Sequence, residues 1–398
     1  MLELSKRTLG IAESVTLAID AKAKKMASEG VDVVAFVAGE PDFDTPLFIR
    51  NAAKEAMDKG LTRYTPAAGT LDVRKAICDK LMRENGLAYT PADIVVSNGA
   101  KHSLFNVFQA LLNPGDEVII PAPYWVTYPE LVRMADGTPI IVETQECDDF
   151  LLTMDALKAA ITPKTKALVL NNPCNPTGAM FSKKMLEGIA ELAVEKGFYV
   201  VSDEIYEKLY YSNEAPVSIA ALGPQIKDQT IVVNGASKAY AMTGWRVGYS
   251  ASRGDIAAAM ASHQSHATSN PNSIAQYALA AALRGPTDEL EYMVGEFHKR
   301  RDAMVQGINQ IPGLSCRTPG GAFYVFPNVT ALFGKQVKGK TIRNSMDVAN
   351  ALLEEVQVAV VPGVAFGADH YIRLSYATSM AKVEEGLKRI AQFVASIG

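Results

Sequence analysis

Six short apolar runs, set between segments of helical periodicity, constrain this chain more than any other feature. They are Asp93–Ser97 (DIVVS), Glu117–Ile120 (EVII), Ala167–Leu170 (ALVL), Phe198–Ser202 (FYVVS), Ile231–Val233 (IVV) and Val247–Ser250 (VGYS). Their near-continuous β-branched character predicts strands covered on both faces, as in a mainly parallel sheet. Helix signals alternate with them. Thr45-Pro46 sets a cap residue before a proline at the first turn of a helix expected to end near Gly60. Thr70 opens a second helix, with Val73, Ile77 and Leu81 at a spacing of four and Gly86 as its stop. Ser182 caps a third, which carries Leu186, Ile189 and Ala193 on one face and stops at Gly197. Strands and helices alternating in this way specify an α/β fold.

Polar residues gather directly after these runs. Ser97-Asn98-Gly99-Ala100-Lys101 follows the first, Pro121–Trp125 the second, Asn171–Gly178 the third, Asp203–Tyr206 the fourth and Gly235–Lys238 the fifth. Open α/β sheets bind ligands outside the carboxyl ends of their strands. Five such segments therefore predict one shared site spanning roughly residues 97–248. Beyond Arg284-Gly285-Pro286 runs a long helical pattern to about Gln310. A strand (Ala322–Phe326), two amphipathic helices and another strand (Tyr371–Ser375) come next. The final helix carries Val383, Leu387, Ile390 and Val394 on one stripe. With too few strands to extend the main sheet, this tail reads as a smaller α+β domain, joined by the residues before Thr45.

Composition narrows the classes. A chain of 398 residues buries a large core without needing disulfides or a structural metal. Cys78, Cys147, Cys174 and Cys316 form no C-x-x-C pair, which fits a reducing compartment. A net charge of −4 gives no basic footprint for nucleic acid. No run approaches the ~20 apolar residues that cross a bilayer, and the N-terminus lacks a signal-peptide core. A cytoplasmic protein with neither membrane nor nucleic-acid partner is expected. Three motifs read as decoys. Gly334–Thr341 fits the phosphate-loop pattern G-x-x-x-x-G-K-T, but its Lys-Gln-Val-Lys interior predicts a solvated basic loop. His263-x-x-His266 lacks a third ligand, so no metal site is expected. Asn328-Val329-Thr330 fits a glycosylation sequon but needs a secretory route.

The chemistry-bearing residues have plain readings when taken singly: a solvated lysine, a helix cap, a core tryptophan, a rigid connector. Lys238 follows an apolar strand in a run of small residues, eight before Arg246. A partly desolvated lysine has a depressed pKa and forms a Schiff base, while an arginine suits a phosphate dianion. Asp203 ends an apolar strand, where a carboxylate needs a cationic partner, and Tyr206, three residues on, faces the same object. Trp125, one of two tryptophans, offers a flat surface. Together they describe one ligand. It has a ring beside Trp125, a cation opposite Asp203 and a phenolic oxygen near Asn175 and Tyr206. It also has a phosphate near Arg246 and Gly99–Lys101, and a carbonyl for Lys238. Pyridoxal 5'-phosphate matches each requirement.

Longer motifs run in order from end to end: Val37–Phe43 (VAGEPDF), Arg63-Tyr64 with Gly69, Asn175–Gly178 (NPTG), Asp203–Tyr206 (DEIY), Ser237-Lys238 through Gly244–Tyr249 (GWRVGY), and Ile372–Ser375 (IRLS). In them the chain resembles the aspartate aminotransferase family, the class I and II aminotransferases of PLP fold type I. It is most similar to the bacterial-type subgroup, which includes enzymes that accept prephenate. The resemblance implies a large domain over 45–285, with a mainly parallel seven-stranded sheet flanked by helices. A small α+β domain is implied from 1–44 and 286–398, and a homodimer with shared active sites. Lys238 would carry the cofactor covalently and shuttle a proton, and Asp203 would keep the pyridine nitrogen protonated. Asn175 and Tyr206 would hydrogen-bond the ring oxygen, and Trp125 would stack on the ring. Arg246 and the backbone amides of Ala100 and Lys101 would hold the phosphate, joined by Tyr64 from the other subunit. Arg373 would clamp the substrate α-carboxylate, aided by Gly39 and Asn175.

Two departures from the wider family stand out. Gly235 occupies a position that often holds a phosphate-binding serine, and Ser262–Pro271 shows no arginine for a distal carboxylate. Lys101, with Ser14 and Thr16, would serve instead. The implied activity moves an amino group from an L-amino acid, aspartate foremost, to a 2-oxo acid such as 2-oxoglutarate by a ping-pong mechanism. The alternatives are a preference for aromatic amino acids or prephenate, or another fold-type-I enzyme such as a C–S lyase, decarboxylase or aminocyclopropane-carboxylate-type synthase. A PLP-sensing transcription regulator is disfavoured, since the motifs begin by residue 37 and leave no room for a DNA-binding module.

Overall fold

The computed structural model describes residues 4–12 and 14–397, with residues 6 and 7 as backbone only. Its central sheet has seven strands: β1 (Ile94–Ser97), β2 (Glu117–Ala122), β3 (Thr138–Glu143), β4 (Thr165–Asn171), β5 (Tyr199–Asp203), β6 (Thr230–Gly235) and β7 (Gly248–Ala251). Their order is β1-β7-β6-β5-β4-β2-β3. β7 runs antiparallel to both its neighbours, and the other adjacent pairs are parallel. Six strands coincide with the apolar runs. β3 was not expected. It lies at the sheet edge, contains Pro139 and buries no residue fully, so it lacks the covered apolar run of its neighbours.

Strand alternation sends successive side chains to opposite faces. Val118 and Ile120 pack with Val169, Val201 and Val233 against Leu104, Val107 and Phe108 of helix α1 (Ala100–Leu111). Ile119 packs with Leu168, Leu170 and Val200 against Leu186 and Ile189, which lie on the far face. Burying one such side chain contributes roughly 1.5–3 kcal/mol, so two covered faces pin the register of the sheet.

The local helix signals are mostly obeyed. Thr70 and Ser182 accept hydrogen bonds from the amides of Val73 and Met185, both at 3.3 Å. Gly86 and Gly197 end their helices in the left-handed region, at φ 67° and 75°. Thr45 differs. The helix Leu47–Asp58 has Pro46 at its N-cap position and no side-chain cap. The Thr45 hydroxyl instead donates to the Ala241 carbonyl at 2.6 Å and accepts from Trp245 Nε1 at 3.0 Å. It is buried against the loop that follows Lys238, so that loop outcompetes the helix for its hydrogen bonds.

A second, three-stranded antiparallel sheet joins β8 (Tyr324–Val325), β9 (Val361–Pro362) and β10 (Ile372–Ser375) in the order β9-β10-β8. The strand expected over Ala322–Phe326 shortens because Ala322 adopts φ 58°, which a ladder does not accommodate. Val34–Ala35 pairs in parallel with Val358–Ala359, which fastens the N-terminal segment beside this sheet. The segment Gly334–Thr341 is a hairpin, Gln336–Val337 against Lys340–Thr341. Its turn residues Lys338 and Gly339 have φ 46° and 78°. That geometry suits a tight hairpin turn, not the strand-to-helix loop a phosphate cradle requires. Among the described residues, no helix is long and apolar enough to cross a membrane.

One close approach fixes where the sheet meets α1. A Cβ added to Gly248 would lie 2.4 Å from the amide nitrogen of Ala100. Gly248→Ala must therefore displace the helix start, and a destabilisation of about 1–3 kcal/mol is expected. Urea unfolding would measure it, and an unchanged unfolding midpoint would refute the claim that contact at Gly248 sets the helix position.

Candidate active site

The carboxyl ends of β4, β5 and β6 open onto a cavity of about 870 Å³. Gly39, Ala100, Lys101, Trp125, Asn175, Asp203, Tyr206, Lys238, Arg246 and Arg373 all line it, and Ser14 and Thr16 reach it from the N-terminal segment. Tyr64 does not. It is 89% exposed on the molecular surface.

Lys238 lies just beyond β6, and its Nζ donates to the Gly39 carbonyl at 2.6 Å. Burial lowers its pKa from 10.5 to about 8; Arg246 and Arg373 add to the fall, while Glu40 and Asp203 oppose it. Asp203 ends β5 and is 3% exposed. Its Oδ2 accepts from the Tyr128 hydroxyl at 2.7 Å and its Oδ1 from the Ile205 amide at 3.2 Å. Burial lifts its pKa from 3.8 to about 6, against the pull of these donors and of Lys238. No described cation forms a salt bridge with it, so the carboxylate is suited to a cation brought into the cavity.

The smaller sheet contributes Arg373, on β10, to the cavity lining. Its Nη1 donates to Asn175 Oδ1 at 3.0 Å and its Nη2 to the Val37 carbonyl at 2.9 Å. Its guanidinium lies 4.3 Å from the centre of the Tyr324 ring and 5.0 Å from that of Phe366. The Nε is buried with no hydrogen-bond partner, a donor suited to a carboxylate oxygen. The Tyr206 and Tyr324 hydroxyls are 3.0 Å apart.

The third wall is cationic. α1 begins at Gly99, which has no side chain to cap the first amides and adopts φ 90°. Arg246 lies across this helix start: a Cβ on Gly99 would meet Arg246 Nη2 at 2.6 Å. A guanidinium beside the positive end of a helix is unfavourable alone and favourable around a shared dianion. Lys101 Nζ sits 4.9 Å from the centre of the Trp125 ring, and burial and Arg246 lower its pKa. A phosphate-bearing aromatic aldehyde with a basic ring nitrogen fits this donor set.

Gly235 has a physical reason. A Cβ there would lie 3.1 Å from Gly248 Cα and 3.2 Å from the Val247 carbonyl oxygen, so β6 and β7 leave little room for a serine. Ser237, buried and two residues further on, lines the cavity instead. The sequence reading assigned no role to Ser237, Tyr128 or Tyr324. Tyr128 was within reach, since it lies three residues after Trp125 on the turn that opens the helix α2 (Thr127–Met134). The two rings pack edge to face, with centres 5.3 Å apart.

The chain is similar to known proteins over its whole length. Residues 31–390 match the family model for aminotransferases of class I and II. An aspartate aminotransferase of Geobacillus stearothermophilus is 47% identical over 396 residues, covering 99% of each chain. An aspartate/prephenate aminotransferase of Cereibacter sphaeroides is 45% identical and spans 100% of both. Among solved structures, the aspartate aminotransferase of Rhizobium meliloti superposes with a TM-score of 0.97 at 44% identity, covering 100% of both chains. That of Thermus thermophilus, solved with maleate, gives 0.93 at 44% identity, covering 99% of this chain and 100% of that one.

The raised pKa of Asp203 has a measurable consequence. Unfolded, the carboxyl titrates near 3.8, and folded, near 6. The native state therefore holds the proton longer, and stability from this group is full below the lower value and lost as pH rises through the upper. Between about pH 3 and pH 8 the ligand-free protein should lose roughly 3 kcal/mol relative to Asp203→Asn. Parallel urea-unfolding stabilities for the two proteins across that range would contradict a buried, unpaired carboxylate.

Proposed function

The chain belongs to the class I and II aminotransferases, and we propose that it transfers the amino group of an L-amino acid, aspartate foremost, to a 2-oxo acid such as 2-oxoglutarate by a ping-pong mechanism. The observation that carries this reading is the convergence of Lys238, Asp203, Arg246 and Arg373 on one cavity. The cofactor of this family is pyridoxal 5'-phosphate. When bound, it supplies a carbonyl for amine exchange and an electron-withdrawing ring.

The residues divide the remaining work. Arg246 and the amides of Ala100 and Lys101 hold the phosphate, and Trp125 covers one ring face and excludes water. Asp203 keeps a proton on the ring nitrogen, and Tyr128 holds that carboxylate in place. Asn175 and Tyr206 donate to the ring oxygen. Lys238 deprotonates close to neutral pH and so can take and return a proton at Nζ. Arg373 receives the substrate α-carboxylate through its fork and its Nε, aided by Gly39 and Asn175. Lys101, Ser14 and Thr16 receive the distal carboxylate. A relative solved with maleate, a dicarboxylate, supports a dicarboxylic substrate. A second reading, an enzyme that also accepts prephenate, is supported by the Cereibacter sphaeroides relative's name.

The same reading assigns residues 45–285 to a large domain and residues 1–44 with 286–398 to a small one. It also makes the protein a homodimer in which the exposed Tyr64 reaches the partner's phosphate site.

Steady-state rates with aspartate and 2-oxoglutarate should give parallel double-reciprocal lines. Lys238→Ala should abolish both turnover and the absorbance of the covalently held cofactor, and retention of both would reject the assignment. Lys101→Ala should raise KM for aspartate by about 10- to 100-fold, the worth of one charge-assisted hydrogen bond, and change phenylalanine kinetics little. Equal losses for both donors would place the distal carboxylate elsewhere.

A further inference from the structure

Tyr324 touches three parts of the site that perform separate tasks. Its ring lies under the Arg373 guanidinium at 4.3 Å. Its hydroxyl is 3.0 Å from that of Tyr206. A Cβ on Gly39 would meet the same hydroxyl at 3.0 Å, and the Gly39 carbonyl accepts from Lys238. Tyr324 is 1% exposed, so water does not compete for these contacts.

We infer that Tyr324 is a positioning residue that couples occupation of the Arg373 carboxylate clamp to the hydrogen bond Tyr206 donates to the cofactor's ring oxygen. This inference rests on the function proposed above. The argument is one of proton counting. A hydroxyl has one proton, and two facing hydroxyls share one hydrogen bond, which either can donate. If Tyr206 gives its proton to a ring oxygen, Tyr324 must be the donor within the pair. A hydroxyl that accepts one hydrogen bond donates a second more strongly, so Tyr324 strengthens Tyr206 as a donor. Arg373, stacked on the Tyr324 ring, makes that phenol a better donor while its charge is unneutralised. A carboxylate on Arg373 removes part of that field, and Tyr206 then holds the ring oxygen less firmly. Less withdrawal at the ring oxygen favours the protonated form of the neighbouring lysine–cofactor bond.

The test is a pH titration of the holoenzyme's cofactor absorbance, without and with saturating maleate, for wild type, Tyr324→Phe, Tyr206→Phe and the double variant. Phenylalanine keeps the ring under Arg373 and removes only the hydroxyl. Tyr324→Phe should raise the midpoint by about half a unit or more, in the same direction as Tyr206→Phe and by less. It should also reduce the further rise caused by maleate to half the wild-type value or less. Adding it to Tyr206→Phe should move the midpoint no further. Coincident titrations of wild type and Tyr324→Phe, or full additivity in the double variant, would overturn the inference. A wild-type protein with no pH-dependent cofactor band would instead overturn the function on which it rests. Should Tyr324→Phe not fold, the same comparison with Tyr324→Leu and an unaltered midpoint would refute the coupling.

Discussion

Asp203 sits at the end of a strand flanked on both sides by parallel neighbours, and that position removes its carboxylate from water. The cost of burying it is only partly offset by the Tyr128 hydroxyl and the Ile205 amide, as its raised pKa records. Much of the molecule is arranged around this carboxylate. β4 and β6 shield it laterally, α2 delivers Tyr128, and the cavity gives it one open direction. Lys238, on the next strand connection, shares that direction. A cationic ring nitrogen beside Asp203 and a carbonyl beside Lys238 would relieve both groups at once, so ligand binding should stabilise the fold by the energy the apoprotein forgoes.

Arg373 shows the same economy from the smaller sheet. Its guanidinium is buried, stacked between two aromatic rings and given two hydrogen-bond acceptors. Asn175 belongs to the larger sheet's loop and Val37 to the N-terminal segment, so one side chain ties together three stretches of chain distant in sequence. A substrate carboxylate at its free Nε would tighten that junction.

How much of this was legible depended on whether the signal was local. β-branched runs covered on two faces declare themselves, and so do capping residues whose partners lie three positions away. β3 was invisible because none of its residues is fully buried. Thr45 misled because a buried hydroxyl took partners about 200 residues on instead of its own helix. The shortened β8 reflects a left-handed backbone at Ala322 that nothing in its residue type announces. Tyr324 went unread for a related reason. Its importance lies in a hydroxyl contact spanning 118 residues, and such pairing leaves no trace in local spacing. The principal site residues were readable because strand ends bring them to one rim. Tyr64, by contrast, lies on the molecular surface away from that rim.

The reversed direction of β7 shapes how the site is assembled. A parallel strand in that place would have sent the chain down the full height of the molecule and back before it re-entered the sheet. Running the other way, the chain stays at the ligand rim from Gly235 to Gly248 and never leaves it. Lys238 and Arg246 are thus strung on one short tether. A shift in either must tug on the other, so the amine and the guanidinium keep their places in the cavity together.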